Sequence, residues 1–391
     1  MKKIIYLTVF ILYIMTASIY ANASQESEKI INDYIDIYGE KLQDGIDKAD
    51  YGNMYTDLST DIDVKSLLKS IIKGETPTNP AKVLSQLLSI LIIEVKKTLK
   101  LLLLIPAVAV LNTYVTGINS NFSAKGTSEA AFFVCYAIMA GIAATAFFET
   151  VKCGRIIIEN ISVFMRILIP VSLASLASSG AVVSATTFEI VLMSVIGICE
   201  FAVEKFFFPI VMMSTALNIA SNISNSLKAD KLVGILNKTV KWGLGIMLTL
   251  FVGITGIQGV VAGTADGLKV KVTKFATANL IPVVGGILAE TVETVMNCSV
   301  VIKNAVGIVG IISVIAITVI PILKISACLI LFRLCAAVVQ PISDPRYVKC
   351  ITELGDSVSS VLAMAVSLVV MFVIILTILI NIGNTAILLG R

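Results

Sequence analysis

From residue 81 to its end the chain is built almost wholly from apolar runs long enough to enter a lipid bilayer. A backbone inside hydrocarbon has no water to bond with. Such runs must therefore close their own hydrogen bonds as helices and pack into a bundle. Composition agrees: of 391 residues, 57% are hydrophobic and 14% charged, with mean hydropathy +0.94. Soluble domains carry about 25% charged residues, so a water-soluble globule is excluded. The fold class that follows is an all-α, polytopic membrane helical bundle.

The first residues read as a signal peptide. Lys2 and Lys3 form a basic start, Ile4 to Ile19 an apolar stretch, and Ala21-Asn22-Ala23 offers the small residues that a signal peptidase accepts. Residues 1–23 are thus a signal peptide, expected to be cleaved after Ala23; an uncleaved first helix is the other reading. Residues 24–80 carry 12 Asp plus Glu against 6 Lys. In them Ile30, Ile31, Tyr34, Ile35, Tyr38, Leu42 and Ile46 recur at helical spacing. A second amphipathic stretch pairs Val64, Leu67, Leu68, Ile71 and Ile72 with Lys65, Lys69 and Lys73. It suits a helix lying on a membrane or docked to a partner, and equally a helix of a small soluble bundle. Pro77 and Pro80 mark the linker into the membrane domain, residues 81–391.

Hydropathy marks candidate spans near 98–117, 130–149, 161–183, 187–203, 206–222, 240–262, 300–320, 322–340 and 357–381. Several are short, so seven to nine true crossings are expected, the rest being half-helices or hairpins. The basic clusters Lys228, Lys231, Lys238, Lys241 and Lys269, Lys271, Lys274 flank one span, 240–262. If that span crosses, both cannot face the cytoplasm, and charge alone leaves the orientation open.

Leu168-Ile169-Pro170-Val171 recurs as Leu280-Ile281-Pro282-Val283, and Pro209-Ile210 recurs as Pro321-Ile322, at the same offset of 112. Aligned without gaps, 168–214 and 280–326 share 12 identities in 47 positions. The pattern suggests an internal repeat, with copies at about 125–222 and 237–334. Proline removes a helical donor and glycine loosens the next turn. Pro170, Pro209, Pro282, Gly285, Gly286 and Pro321 are therefore candidate helix breaks. Broken helices at matching places in two repeats point to a transport site; simple kinks are the plainer reading.

Charges within apolar runs are the remaining signal. Glu189, Glu200 and Glu204 share a face if 187–204 is one helix, with Lys205 following, while Arg166, Lys303, Lys324 and Arg333 lie in or beside apolar stretches. Glu189, Glu200, Glu204, Arg166, Lys303 and Arg333 form a candidate polar path in which Arg166 or Lys303 supplies counter-charge. Alternatively, Glu204-Lys205 is an interfacial loop. Enzyme activity is not expected. The chain has no histidine, no P-loop and no Gly-x-Ser-x-Gly elbow, and Asp266 lacks an evident second aspartate for aspartyl-protease chemistry. No cofactor or metal site is expected, nor any nucleic-acid binding, since lysine-rich loops commonly border lipid headgroups. The seven cysteines form no C-x-x-C pair and read as apolar packing residues.

Four stretches carry a resemblance. Asn279-Leu-Ile-Pro-Val-Val-Gly-Gly286 is followed by Thr294-Val-Met-Asn-Cys-Ser299 and Lys303-Asn-Ala-Val-Gly307; Cys335-Ala-Ala-Val-Val-Gln-Pro341-Ile-Ser-Asp344 lies further on. Together they resemble the stage III sporulation protein AE family of endospore-forming bacteria, from about residue 125 to the C-terminus, and only loosely over 24–80. The resemblance implies a multi-pass subunit in the mother-cell membrane around the forespore. Its implied partners are the other stage III A group proteins and the forespore stage II Q protein, joined in a channel or feeding apparatus. Residues 24–80 would lie outside the cytoplasm. An ATPase of the same group would supply energy, and no catalytic residue is implied. Contact with membrane lipid follows from the composition, and a homo-oligomer stays open. Two other classes remain: a stand-alone secondary permease with a substrate site between Pro170 and Gly286, and a purely structural anchor.

Overall fold

The computed structural model describes Glu40 and residues 80–120, 125–178, 181–223, 229–280 and 285–390. The expected signal peptide, both amphipathic stretches of the acidic segment and Pro282 lie outside the described residues. Among the described residues the regular structure is entirely helical. The elements are α1 (Pro80–Leu102), α2 (Leu104–Ser120), α3 (Lys125–Ser178), α4 (Val182–Ala202), a π-helical turn (Val203–Phe207), α5 (Phe208–Ile223), α6 (Asp230–Leu280), α7 (Gly285–Val339) and α8 (Pro345–Gly390).

The helices are far longer than hydropathy windows suggest. α3 has 54 residues, α6 51 and α7 55. At roughly 1.5 Å per residue each runs to about 76–83 Å, more than twice a hydrocarbon core of about 30 Å. Five helical stretches among the described residues are long and apolar enough to cross a membrane: Leu91–Val115, Glu129–Ser178, Asp230–Gln258, Thr294–Val339 and Pro345–Ile382. The count expected from sequence is thereby corrected. Runs 130–149 and 161–183 fall largely on α3, and 300–320 and 322–340 on α7. Charge interrupts a hydropathy window without interrupting the backbone hydrogen-bond ladder.

Two of the expected breaks are corrected in the same way. Pro170 lies within unbroken α3 and Pro321 within unbroken α7. Pro170 is exposed, whereas Leu168, Ile169, Val171 and Leu173 around it are buried. The lost donor bond is outweighed because the surrounding turns stay packed. At Gly285 and Gly286 the chain does change helix: α6 ends at Leu280 and α7 opens on these glycines. Pro209 is the second residue of α5, just beyond the π turn, where the Phe208 N–H reaches back to the Val203 carbonyl. A widened turn is a common way to absorb a proline. The breaks that do occur are out of register with the repeat. α6 ends at Leu280, but the residue 112 positions earlier, Leu168, is mid-helix; α3 ends at Ser178, but the matching Glu290 lies inside α7.

Contacts fix the helix directions. Thr150 meets Cys328, and a Cβ on Gly310 would meet Leu168, so α3 and α7 are antiparallel. Phe132 stacks edge-on to Tyr347 and a Cβ on Gly154 would lie 2.7 Å from Val361, so α3 and α8 run parallel. Cys335 lies 3.5 Å from the Leu102 carbonyl at the end of α1, and Thr113 donates to the Ile342 carbonyl at 2.8 Å. The α1–α2 segment thus runs with α7. Residue 80 and residue 390 then lie toward one end of the bundle, and the α7–α8 turn at the other.

At that turn the chemistry is local and legible. Asp344 caps α8 by accepting the Arg346 N–H at 2.9 Å, and Pro345 takes the first helical position, where its missing N–H costs nothing. Arg346 folds back onto the same carboxylate and stacks 3.5 Å over the Phe132 ring. Burial pushes the Asp344 carboxyl up, but its side-chain and backbone bonds with Arg346 outweigh that and hold it below the ordinary range. Phe132, Tyr136 and Tyr347 form one aromatic cluster with centroids 5.2–5.8 Å apart. The Tyr136 hydroxyl donates to the Ile219 carbonyl at 2.9 Å. Together these contacts tie α3, α5 and α8.

Candidate functional site

Each long helix carries its charge in a band with apolar sequence beyond it. In α3 the band is Glu149, Lys152, Arg155 and Glu159. The neighbours bring theirs to the same level: Lys324 and Arg333 from α7, Asp356 from α8, Glu204 and Lys205 from the π turn, Glu94 and Lys97 from α1. Arg333 donates to Asp356 at 2.6 Å, Lys205 pairs with Glu204 at 2.9 Å, and Arg155 lies over the Phe208 ring at 5.5 Å from its centroid. The result is a charged waist around the bundle. On the side of residues 80 and 390, the apolar runs of α3 (160–178), α4, α6 (243–258), α7 (305–323) and α8 (357–380) surround the core together. Ionised side chains avoid a hydrocarbon interior, so that apolar half is the part built for lipid, and the waist borders it.

In the waist, α1, α3 and α7 leave a cavity of about 360 Å³. Its wall carries two carboxylates, Glu94 and Glu149, and two ammonium groups, Lys97 and Lys324, beside Thr150, Cys153 and Cys328. Glu94 is buried and pairs with the exposed Lys97 at 3.2 Å. Thr150 closes the inner wall, bonded to the Ala146 carbonyl at 2.9 Å and contacting the Cys328 sulfur at 3.3 Å.

The residues singled out in the sequence are dispersed. Arg166 and Glu200 do meet, at 2.8 Å, joining α3 to α4, with the carboxylate side chain 22% exposed and the guanidinium 61%. Glu189 and Glu204 lie on the outer surface, so the glutamate stripe lines no internal path. Arg333 and its partner are half-exposed. Lys303 is buried at 3% exposure, far along α7 from Arg333, and its Nζ donates to the Ile380 carbonyl of α8 at 2.6 Å. Of the six charged residues only Arg166 and Glu200 meet, and the rest stand apart, so they form no convergent site.

Sequence reading missed two features. Gly307, one turn from Lys303, abuts the same Ile380: a Cβ there would collide with the Ile380 side chain. The Lys303-Asn-Ala-Val-Gly307 stretch is thus a clamp of α7 on α8, with a charge for the carbonyl and an absent side chain for close approach. Glu94 and Glu149 were also missed as cavity residues; their only signal was a charge amid apolar sequence, shared by many others. Six of the seven cysteines are buried and all are free, in keeping with packing.

The profile of the family described as Stage III sporulation protein AE matches residues 62–383. Among curated proteins, Stage III sporulation protein AE of Bacillus subtilis (strain 168) is 28% identical over 320 residues, covering 82% of this chain and 80% of the relative. No solved structure matches. On a match over most of its length, the chain belongs to the stage III sporulation protein AE family.

Proposed function

We propose that this protein is a membrane subunit of the complex that joins mother cell and forespore during endospore formation. It would sit in the mother-cell membrane around the forespore with the other stage III A group proteins. The forespore stage II Q protein would stand opposite. The observation that carries this reading is the family match over residues 62–383. The geometry supports a role shared with other subunits: Glu189 and the Glu204–Lys205 pair lie on the outer surface instead of lining a private channel.

Helix direction and charge support an orientation. The waist and the end beyond it hold Lys152, Arg155, Lys205, Lys231, Lys238, Lys241, Lys324, Arg333, Arg346 and Lys349. The positive-inside rule assigns that end to the cytoplasm. Residues 24–80 would then face the space between the two membranes, as a cleaved signal peptide requires. The smaller Lys269–Lys274 cluster lies beyond the apolar half of the same helix, α6, on the opposite side.

Purification from sporulating cells tests the proposal. A tagged chain extracted in mild detergent is expected to bring stage III A proteins with it, and the chain reconstituted alone to move no solute. A chain that purifies alone and drives solute flux in proteoliposomes is a permease, and the proposal fails.

A further inference from the structure

We infer that the waist cavity between α1, α3 and α7 binds a zwitterion, a ligand with one ammonium group and one phosphate or carboxylate group. The inference does not depend on the channel reading. The cavity presents two carboxylates and two ammonium groups, Glu94, Glu149, Lys97 and Lys324. A simple anion placed there meets both carboxylates, and a simple cation meets both lysines. Only a ligand carrying both signs finds complementary charge on every side.

The internal pairing is incomplete in the way such a ligand needs. Glu94 is engaged by Lys97 at 3.2 Å. Glu149 makes no ion pair among the described residues, nor does Lys324. They stand on different helices, α3 and α7, and the same wall carries the Thr150 hydroxyl and the buried Ile325. Glu149 is exposed and Lys324 half-buried, so both charges are open to a ligand at the cavity mouth. The volume of about 360 Å³ falls at the small end of ligand pockets, ample for an amino acid or a phosphoethanolamine group. Its position on the border of the lipid-facing half suits a lipid headgroup whose tails run along α1, where Leu88, Ile92 and Ile93 are exposed. The same charges would take a free amino acid from the aqueous side.

Three probes separate the sources: short-chain phosphatidylethanolamine, short-chain phosphatidylglycerol and free glycine, each titrated into delipidated full-length protein in mild detergent. Saturable binding of phosphatidylethanolamine, tighter than phosphatidylglycerol, is expected if the ligand is a lipid; glycine binding identifies a soluble zwitterion. Glu149→Gln and Lys324→Met are each expected to weaken the zwitterion about tenfold, the loss of one charge-assisted contact. Glu149→Gln should narrow the preference over phosphatidylglycerol. No saturable zwitterion binding, tighter binding of the anionic lipid by the unaltered protein, or affinity unchanged in both variants overturns the inference. The comparison of probes on unaltered protein decides the matter even where a variant fails to fold.

Discussion

Gly307→Leu is expected to destabilise the bundle by about 3 kcal/mol, at the upper end of overpacking costs. Even a Cβ at this position collides with the Ile380 side chain, and the three further carbons of leucine have to go the same way. Ile380 has little freedom to yield, because its backbone carbonyl holds the buried Lys303 ammonium at 2.6 Å. Moving α8 away to make room would therefore separate that charge from its acceptor. Gly253→Leu is the matched control: Gly253 has nothing within 4 Å of a built Cβ. There leucine should be neutral or slightly stabilising, by about 0.5–1 kcal/mol, since glycine is the poorer helix former. Thermal unfolding in lipid nanodiscs compares the two. Equal effects would mean that α7 and α8 are not clamped at Ile380.

The Arg166–Glu200 pair should behave as a unit. Between Glu159 and the end of α3 at Ser178, Arg166 is the single charged residue, so both partners sit on the lipid-facing half. Arg166→Met leaves the Glu200 carboxylate, 22% exposed, without its counter-charge; Glu200→Gln leaves the guanidinium. Each single change is expected to cost about 2–3 kcal/mol, the range for an unmatched charge in a membrane helix. The double change should return close to the parent, because a pair removed whole leaves no orphan. A double-mutant cycle on unfolding midpoints reads the coupling directly. Additive losses would place the pair in water, and with it the apolar half that contains it.

The class of the molecule was legible from sequence because membrane physics allows so few options: runs this apolar had to be helices. The Arg166 counter-charge was legible for a related reason, since an isolated charge in such a run demands a partner, and Glu200 was among few available. Helix count and the continuity through Pro170 and Pro321 were not legible. Glu149, Lys152 and Arg155 split one α3 into two hydropathy peaks, yet charged residues are good helix formers and the backbone ladder runs through them. Pro170 and Pro321 suggested breaks, but one missing donor is a local loss of about 3 kcal/mol. Packed neighbours on both sides, such as Leu168 and Val171 or Ile317 and Ile325, offset it. The proline repeat misled for the same reason. Identity at Leu-Ile-Pro-Val does not decide whether a helix continues; the tertiary contacts of the next turns do. The cavity was hidden because α1 and α7 meet there across more than 200 residues of sequence.

Whether α6 crosses the membrane with its Asp230 end in the cytoplasm is the point on which orientation, waist and lipid-facing half all stand. Ile235 and Val272 are exposed on the two ends of that helix, at 60% and 67%. Each can be replaced by cysteine in a background lacking the seven native ones. In intact cells a membrane-impermeant maleimide should label Val272→Cys and spare Ile235→Cys until the membrane is permeabilised. Labelling of both positions from the same side would contradict the crossing.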